Sequence, residues 1–337
     1  MIIGVSGYGK TGATTITRLI KECQDVQSFH YGAEFQLLQQ PDGILDLFHY
    51  IVEDQRKISS NTAIKRFQRV LKSYKNRPAQ KRTNGKLVEY GEKYINHIIQ
   101  VSWKGFCSIE SSDVRAGIDK SSLRRLNNII KRIGKKINYD FVWPPNNVRY
   151  YSGISEDEFI KLTKDYLSSV FEASHFELDK PILLEQLFPE AHPNMGMVFF
   201  DNARSIVVER DPRDLYIVTN HLMPHVTRYM PNSGNVNDFI TYYKGIHKKR
   251  IIDDNVKYVQ YEDFIYQYDK SKEELLAWLQ LKSIESRKLF IPEESINTTC
   301  LFTHYPGLKH DIDIIEKELP EYLFHFELYK DASSSLI

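Results

Sequence analysis

The sequence predicts an α/β protein: a parallel sheet flanked by helices on both faces, carrying a helical insertion. Three observations predict it. The first fifteen residues, MIIGVSGYGKTGATT, read as a short apolar strand, a glycine-rich loop bearing a lysine, and the start of a helix. Short apolar strands recur at Ile182–Glu185, Ser205–Val208 and Lys257–Tyr261, far apart and separated by helical segments. Such spacing needs crossover connections, and crossovers make strands parallel. Between the loop and these strands, residues 36–178 supply few strand signals and many helical ones.

The opening segment is a phosphate cradle, which makes the sheet P-loop type. Gly7, Gly9 and Gly12 allow a tight turn, Lys10 supplies a charge, and the following helix offers its positive end to an anion. Two registers fit. In the first, Gly4, Gly9, Lys10 and Thr11 match G-x-x-x-x-G-K-[ST] of nucleotide triphosphatases, leaving only Met1–Ile3 as strand. In the second, Gly7 and Gly12 bracket the loop, Ile2–Ser6 is the strand and Ala13–Glu22 the helix, with Ile16, Leu19 and Ile20 on one face. The local physics favours the second, because the first leaves Gly12 inside the helix at a cost of roughly 1 kcal/mol.

After the loop, Val26–Phe35 alternates as a second strand would. Helices are expected at Ala63–Tyr74, Lys86–Ile99, Ser121–Ile133, Glu156–Glu172, Val236–Lys248, Ser271–Gln280 and Asp311–Glu327, and a further strand at Phe141–Trp143. From Gln55 to Val88 there are eleven Lys or Arg and no acidic residue, so the insertion is basic. Such a run serves either as a solvated helical face or as a source of positive potential that draws in anionic ligands.

The segment Ala203–His221 is a buried strand ending in Glu209-Arg210-Asp211-Pro212-Arg213-Asp214 and entering a helix, with Asp211 as cap and Pro212 in the first turn. Here the chain resembles the sulfotransferase family. The family's loop pattern P-K-S-G-T-T-W is answered by Gly9-Lys10-Thr11-Gly12-Ala13-Thr14-Thr15, its R-D-P-R-D block by Arg210–Asp214, and its V-x-Y-E-D-L junction by Val259-Gln260-Tyr261-Glu262-Asp263-Phe264. Order and spacing also agree, over about half the chain. The resemblance implies 3′-phosphoadenosine-5′-phosphosulfate as sulfuryl donor, with no metal, and a hydroxyl acceptor, by analogy with carbohydrate sulfotransferases a glycan or glycan precursor. It implies that Gly9, Lys10, Thr11, Gly12, Ala13, Thr14 and Thr15 hold the 5′-phosphate end, Lys10 countering charge on the departing oxygen, and that Arg210 forks onto the 3′-phosphate. For the general base it points to Glu185, at the end of a strand, then to His192; His30 and Glu34 rank behind. Three departures are visible: Val218 stands where the family has a serine, leaving the adjacent Thr219 as its substitute; Ala13 replaces a threonine; and Thr15 replaces an aromatic residue.

Composition bounds the rest. With 337 residues, 42% of them hydrophobic, the chain can form one large domain with residues 36–178 inserted. A net charge of +1 argues against a nucleic-acid binder. Cys23, Cys107 and Cys300 form neither a disulfide framework nor a zinc pattern. No leader and no run of about eighteen apolar residues is visible, so a cytoplasmic protein with no membrane span is expected. Two alternatives stay open: a P-loop kinase using ATP and Mg²⁺ through the first register, and a nucleotide-binding module without catalysis.

Overall fold

The structure, a computed structural model, describes residues 1–29, 34–54, 56, 58–105, 125, 128–133, 148–223, 231, 234–284 and 289–329. The chain divides into two compact units, Met1–Leu38 with Phe176–Ile337, and Gln39–His175. Strands among the described residues are β1 (Ile2–Gly7), β2 (Val101–Lys104), β3 (Val148–Tyr151), β4 (Ile182–Glu185), β5 (Ala203–Glu209) and β6 (Val256–Gln260).

The first unit is built on a sheet of order β4-β1-β5-β6, parallel throughout. β1 lies inside it, Val5 opposite both Glu185 of β4 and Ile206 of β5. A strand covered on both faces needs no polar alternation, which is why IIGVSG reads as an almost unbroken apolar run. One face, with Ile3, Val5, Leu183, Ile206 and Val208, packs on Ile16, Leu19 and Ile20 of α1 (Ala13–Ile20) and on Leu275 and Leu279 of the helix Tyr268–Leu279. On the other face Val207 and Val256 meet Tyr8 and Ile246, the latter from the helix Val236–His247. Helices thus cover both faces, as the strand spacing predicts.

The second unit is mostly helical. Its helices Ser59–Tyr74, Lys86–Ile98 and Glu156–Ala173 meet around Tyr94, whose ring contacts Phe67, Phe159 and Tyr166 and whose hydroxyl lies 2.9 Å from Thr163 Oγ1. Ser155 caps the third of these by accepting the Glu158 N–H. Arg69, Lys72, Lys75 and Arg77 of the basic run are exposed. β2 and β3, which the sequence pattern does not signal, pair antiparallel, Trp103 opposite Arg149. Among the described residues no helix is long and apolar enough to cross a membrane.

Two expectations are corrected. Val26–Phe35 forms no continuous strand among its described residues: Gln27 pairs with Ile182 and Glu34 with Glu185 as isolated bridges, seven positions apart against three, so the two do not share one register. The C-terminal helix spans Lys309–Glu318, not Asp311–Glu327. Pro320 cannot continue it, and Asp211 and Arg213 hold the Phe324 N–H and carbonyl in a non-helical segment. The expected strand Phe141–Trp143 lies outside the described residues, as do His30 and Cys107; of the expected helix Ser121–Ile133 seven residues are described, Arg125 and 128–133, and all are helical.

Candidate nucleotide and transfer site

The strand and helix boundaries decide the register of the loop. β1 continues to Gly7, and α1 begins at Ala13 with Gly12 as its cap, which is the second register. Gly4, the first glycine of the alternative motif, lies mid-strand, paired with Leu184 and Ser205, and a Cβ there would strike the Phe188 ring. It serves packing and not a loop. Gly12 has φ +100° and its Cα faces the Tyr261 ring with no room for a Cβ, so both backbone and packing demand glycine. Lys10 is also left-handed, at φ 57°.

The position of the loop follows from topology. After β1 the chain runs out past β4, where Gln27 and Glu34 pair with that strand, whereas β5 returns on the opposite side of β1. Strand order therefore reverses between β1 and β5, and ligands of open parallel sheets bind outside the carboxyl ends of the strands at such a point. The loop enters this crevice from β1, and Arg210 enters it from β5. No acidic residue and no side-chain cap lies within the first turn of α1 itself. Thr11 Oγ1 is buried without a partner, an orphaned donor within the cradle that suits an anion. The N–H groups of Thr15 and Ile16 are taken by the Gly12 carbonyl. Those of Gly12, Ala13 and Thr14 lie at the open end of α1.

Arg210 is buried. Its Nη1 donates to the Lys10 carbonyl oxygen at 3.0 Å, its Nη2 donates to the Thr298 carbonyl, its Nε has no partner, and its guanidinium lies 5.3 Å from the centre of the Tyr261 ring. Around it stand three buried carboxyls, Asp211, Asp214 and Glu262. Glu262 accepts the Asp211 N–H at 3.0 Å, which joins the Y-E-D junction to the R-D-P-R-D block. Burial, with the nearby charge of Asp211, pushes Asp214 up to about 7 and Glu262 up to about 8, Arg210 opposing both. Arg213, the second arginine of the block, serves the fold itself. It binds Asp211 through Nε and Nη2, Glu316 at 2.8 Å, and the Phe324 carbonyl.

Glu185 ends β4 beside the loop, with Thr14 Oγ1 3.5 Å from its Oε2. Burial raises its pKa, Glu34 adds to the shift, and Lys21 opposes it. A strand-end carboxylate of raised pKa next to the glycine loop has the properties of a proton acceptor. His192 is half-buried before the short helix Asn194–Met197, its Nδ1 3.3 Å from Asn194 Oδ1. Thr219 is fully buried and donates its hydroxyl to the Leu215 carbonyl at 2.8 Å. The structure therefore gathers Lys10, Thr11, Gly12, Thr14, Arg210 and Glu185 at the end of the sheet. Tyr261 and Thr298 also belong to this group. The first is visible in the sequence only as part of a junction motif; the second, distant and in an irregular segment, carries no motif.

No protein-family model matches the chain, and no curated protein matches it closely. Solved structures similar to it include the sulfotransferase domain from the curacin biosynthetic pathway, at 12% identity and a TM-score of 0.37, covering 86% of this chain and 77% of that one. The sulfotransferase domain of the Synechococcus PCC 7002 olefin synthase matches at 11% identity and a TM-score of 0.34, over 90% of this chain and 81% of that one. Sulfotransferase STF9 from Mycobacterium avium matches at 11% identity and 0.35, over 98% and 76%. In its loop, R-D-P-R-D and Y-E-D motifs this chain resembles the sulfotransferase family, and all three motifs converge on the carboxyl ends of its parallel sheet.

Proposed function

We propose that this protein is a sulfotransferase that moves a sulfuryl group from 3′-phosphoadenosine-5′-phosphosulfate to a hydroxyl acceptor, with a saccharide as the acceptor class and the cytoplasm as its compartment. The reading is carried by one observation: the glycine loop, in the register that excludes Gly4, meets Arg210 of the R-D-P-R-D block at the switch point between β1 and β5. The donor supplies an activated sulfuryl group and two phosphates for recognition. Thr11, Thr14 and the open N–H groups at the start of α1 would hold the 5′-phosphate end. Lys10, exposed in the loop, would counter charge on the departing oxygen. Arg210 would offer the 3′-phosphate its unpartnered Nε, together with Nη2, while Nη1 keeps the Lys10 carbonyl. Glu185 would take the proton of the acceptor hydroxyl.

The same geometry disfavours the kinase reading, since the triphosphatase motif needs Gly4 in a loop and β1 holds it mid-strand. Calorimetry with adenosine 3′,5′-bisphosphate and with ATP, each with and without Mg²⁺, tests the choice. Bisphosphate should bind more tightly and without Mg²⁺. Tight Mg²⁺-dependent ATP binding with no response to bisphosphate would overturn the assignment.

A further inference from the structure

Beyond the loop and Arg210, the ends of β5 and β6 border a cavity of about 320 Å³, on the side of the sheet that carries Tyr8. Its walls include Glu209, Tyr243, Arg250, Gln260, Tyr322 and Phe324. Three features describe what would fill it. First, donors and acceptors stand side by side: Arg250 Nη1 lies 3.0 and 3.2 Å from the two Glu209 oxygens, a pair that is neutral as a unit, and the Gln260 amide adds one more polar group. Second, Tyr243, Tyr322 and Phe324 give flat aromatic walls, the two tyrosines with a polar edge.

Third, two polar atoms buried next to this wall have no partner, Tyr8 Oη and His247 Nε2. The imidazole of His247 is held between Tyr243 and Tyr322, with ring centres 4.0 and 5.0 Å away, and it contacts Tyr8 at 4.4 Å. Its Nδ1 lies 2.8 Å from the Tyr243 carbonyl, which can only accept, so Nδ1 carries the proton and Nε2 is a bare acceptor. Glu209 Oε1 lies 3.8 Å from that nitrogen, beyond hydrogen-bond reach, and burial raises the pKa of this carboxyl while Arg250 opposes the shift. Neither Tyr8 nor His247 lines the cavity, so these unmet groups make the layer behind its wall polar without touching what fills it.

We propose that this cavity binds a neutral monosaccharide unit of the acceptor, its hydroxyls engaging Glu209, Arg250 and Gln260 and its ring lying against Tyr322. The proposal rests on the sulfotransferase reading only for the word acceptor. Glu209 and Glu321 together outweigh Arg250 in charge at this wall, which disfavours a phosphorylated ligand there.

The test is saturation-transfer difference NMR on the full chain with the methyl glycosides of glucose, galactose, mannose and N-acetylglucosamine at millimolar concentration. At least one should give signal in the wild type, and Tyr322→Ala and Arg250→Gln should each weaken it roughly tenfold. Both variants should keep the wild-type affinity for adenosine 3′,5′-bisphosphate, which also shows that they are folded. Three outcomes would overturn the proposal: no glycoside signal in the wild type; signal indifferent to both variants, the cavity then holding water only; or loss of bisphosphate affinity in folded Tyr322→Ala, which would make the cavity part of the nucleotide site. Glycoside binding that depends on Tyr322, in a protein blind to bisphosphate, would uphold the cavity and sink the sulfotransferase reading instead.

Discussion

Arg210 donates from Nη1 to the carbonyl oxygen of Lys10, 3.0 Å away and 200 positions earlier in the chain. Lys10 sits at φ 57°, a conformation that side-chain-bearing residues rarely adopt, so the arginine helps to hold the loop lysine in a strained backbone state. Arg210 and Lys10 are thereby one mechanical unit.

Lys10→Ala should lower turnover by about 10²–10³-fold while changing bisphosphate affinity little, because its charge matters most as the leaving oxygen becomes negative. Arg210→Ala should weaken bisphosphate binding by roughly 1.5–3 kcal/mol. Because of the shared carbonyl contact, the two effects should not add. A double-mutant cycle on turnover should show coupling of roughly 0.5–3 kcal/mol, and strict additivity would refute the coupling.

Glu185→Gln should reduce turnover by about 10²–10⁴-fold with bisphosphate affinity preserved. Since burial raises the pKa of Glu185, wild-type activity should rise with pH through that raised value as the carboxylate forms. The variant should lack this limb. An active Glu185→Gln enzyme with an unchanged pH profile would pass the role of base to His192.

The buried carboxyls around Arg210 should make stability fall as the medium turns from acid to neutral. Asp214 titrates near 3.8 unfolded and at about 7 folded, and Glu262 near 4.5 and at about 8. Between those limits the folded state binds more protons than the unfolded state, so each added pH unit favours unfolding. The contribution is fully present below the unfolded values and lost as pH passes the folded ones. Asp214→Asn keeps an oxygen for the Leu301 and Phe302 N–H groups and removes one titrating site. Melting curves from about pH 4 to 8 should show a flatter slope for this variant; an unchanged slope would refute the assignment.

Gly12→Ala should destabilise the first unit by roughly 2–5 kcal/mol, from left-handed strain plus overlap with the Tyr261 ring. Gly12→Ala combined with Tyr261→Ala should recover the overlap part alone. Thermal melts of the three variants separate the two contributions, and a single variant as stable as wild type would mean that the loop is built differently.

The sequence by itself determined the elements that rest on local chemistry. Ile2–Gly7 is strand because a doubly covered strand must be apolar throughout. Ala13 starts a helix because Gly12 can take the left-handed turn before it. Asp211-Pro212 starts another through a cap and a missing N–H that costs nothing in the first turn. Those three features placed the loop and its arginine. Tertiary structure alone decided the rest. Gly12 already favours the loop's register within the sequence; what pairing alone supplies is the place of Gly4 between β4 and β5, with partners more than 170 positions away. Val26–Phe35 alternates well enough for a strand, yet its described pairs with β4, at Gln27 and Glu34, are isolated bridges, and alternation within a segment does not tell which neighbour it will pair with. Arg210 spends its fork on Lys10 and Thr298, and Asp214 and Glu262 hold their protons toward neutrality, because folding buries distant charges together. Desolvation is a property of that enclosure, and no stretch of sequence carries it.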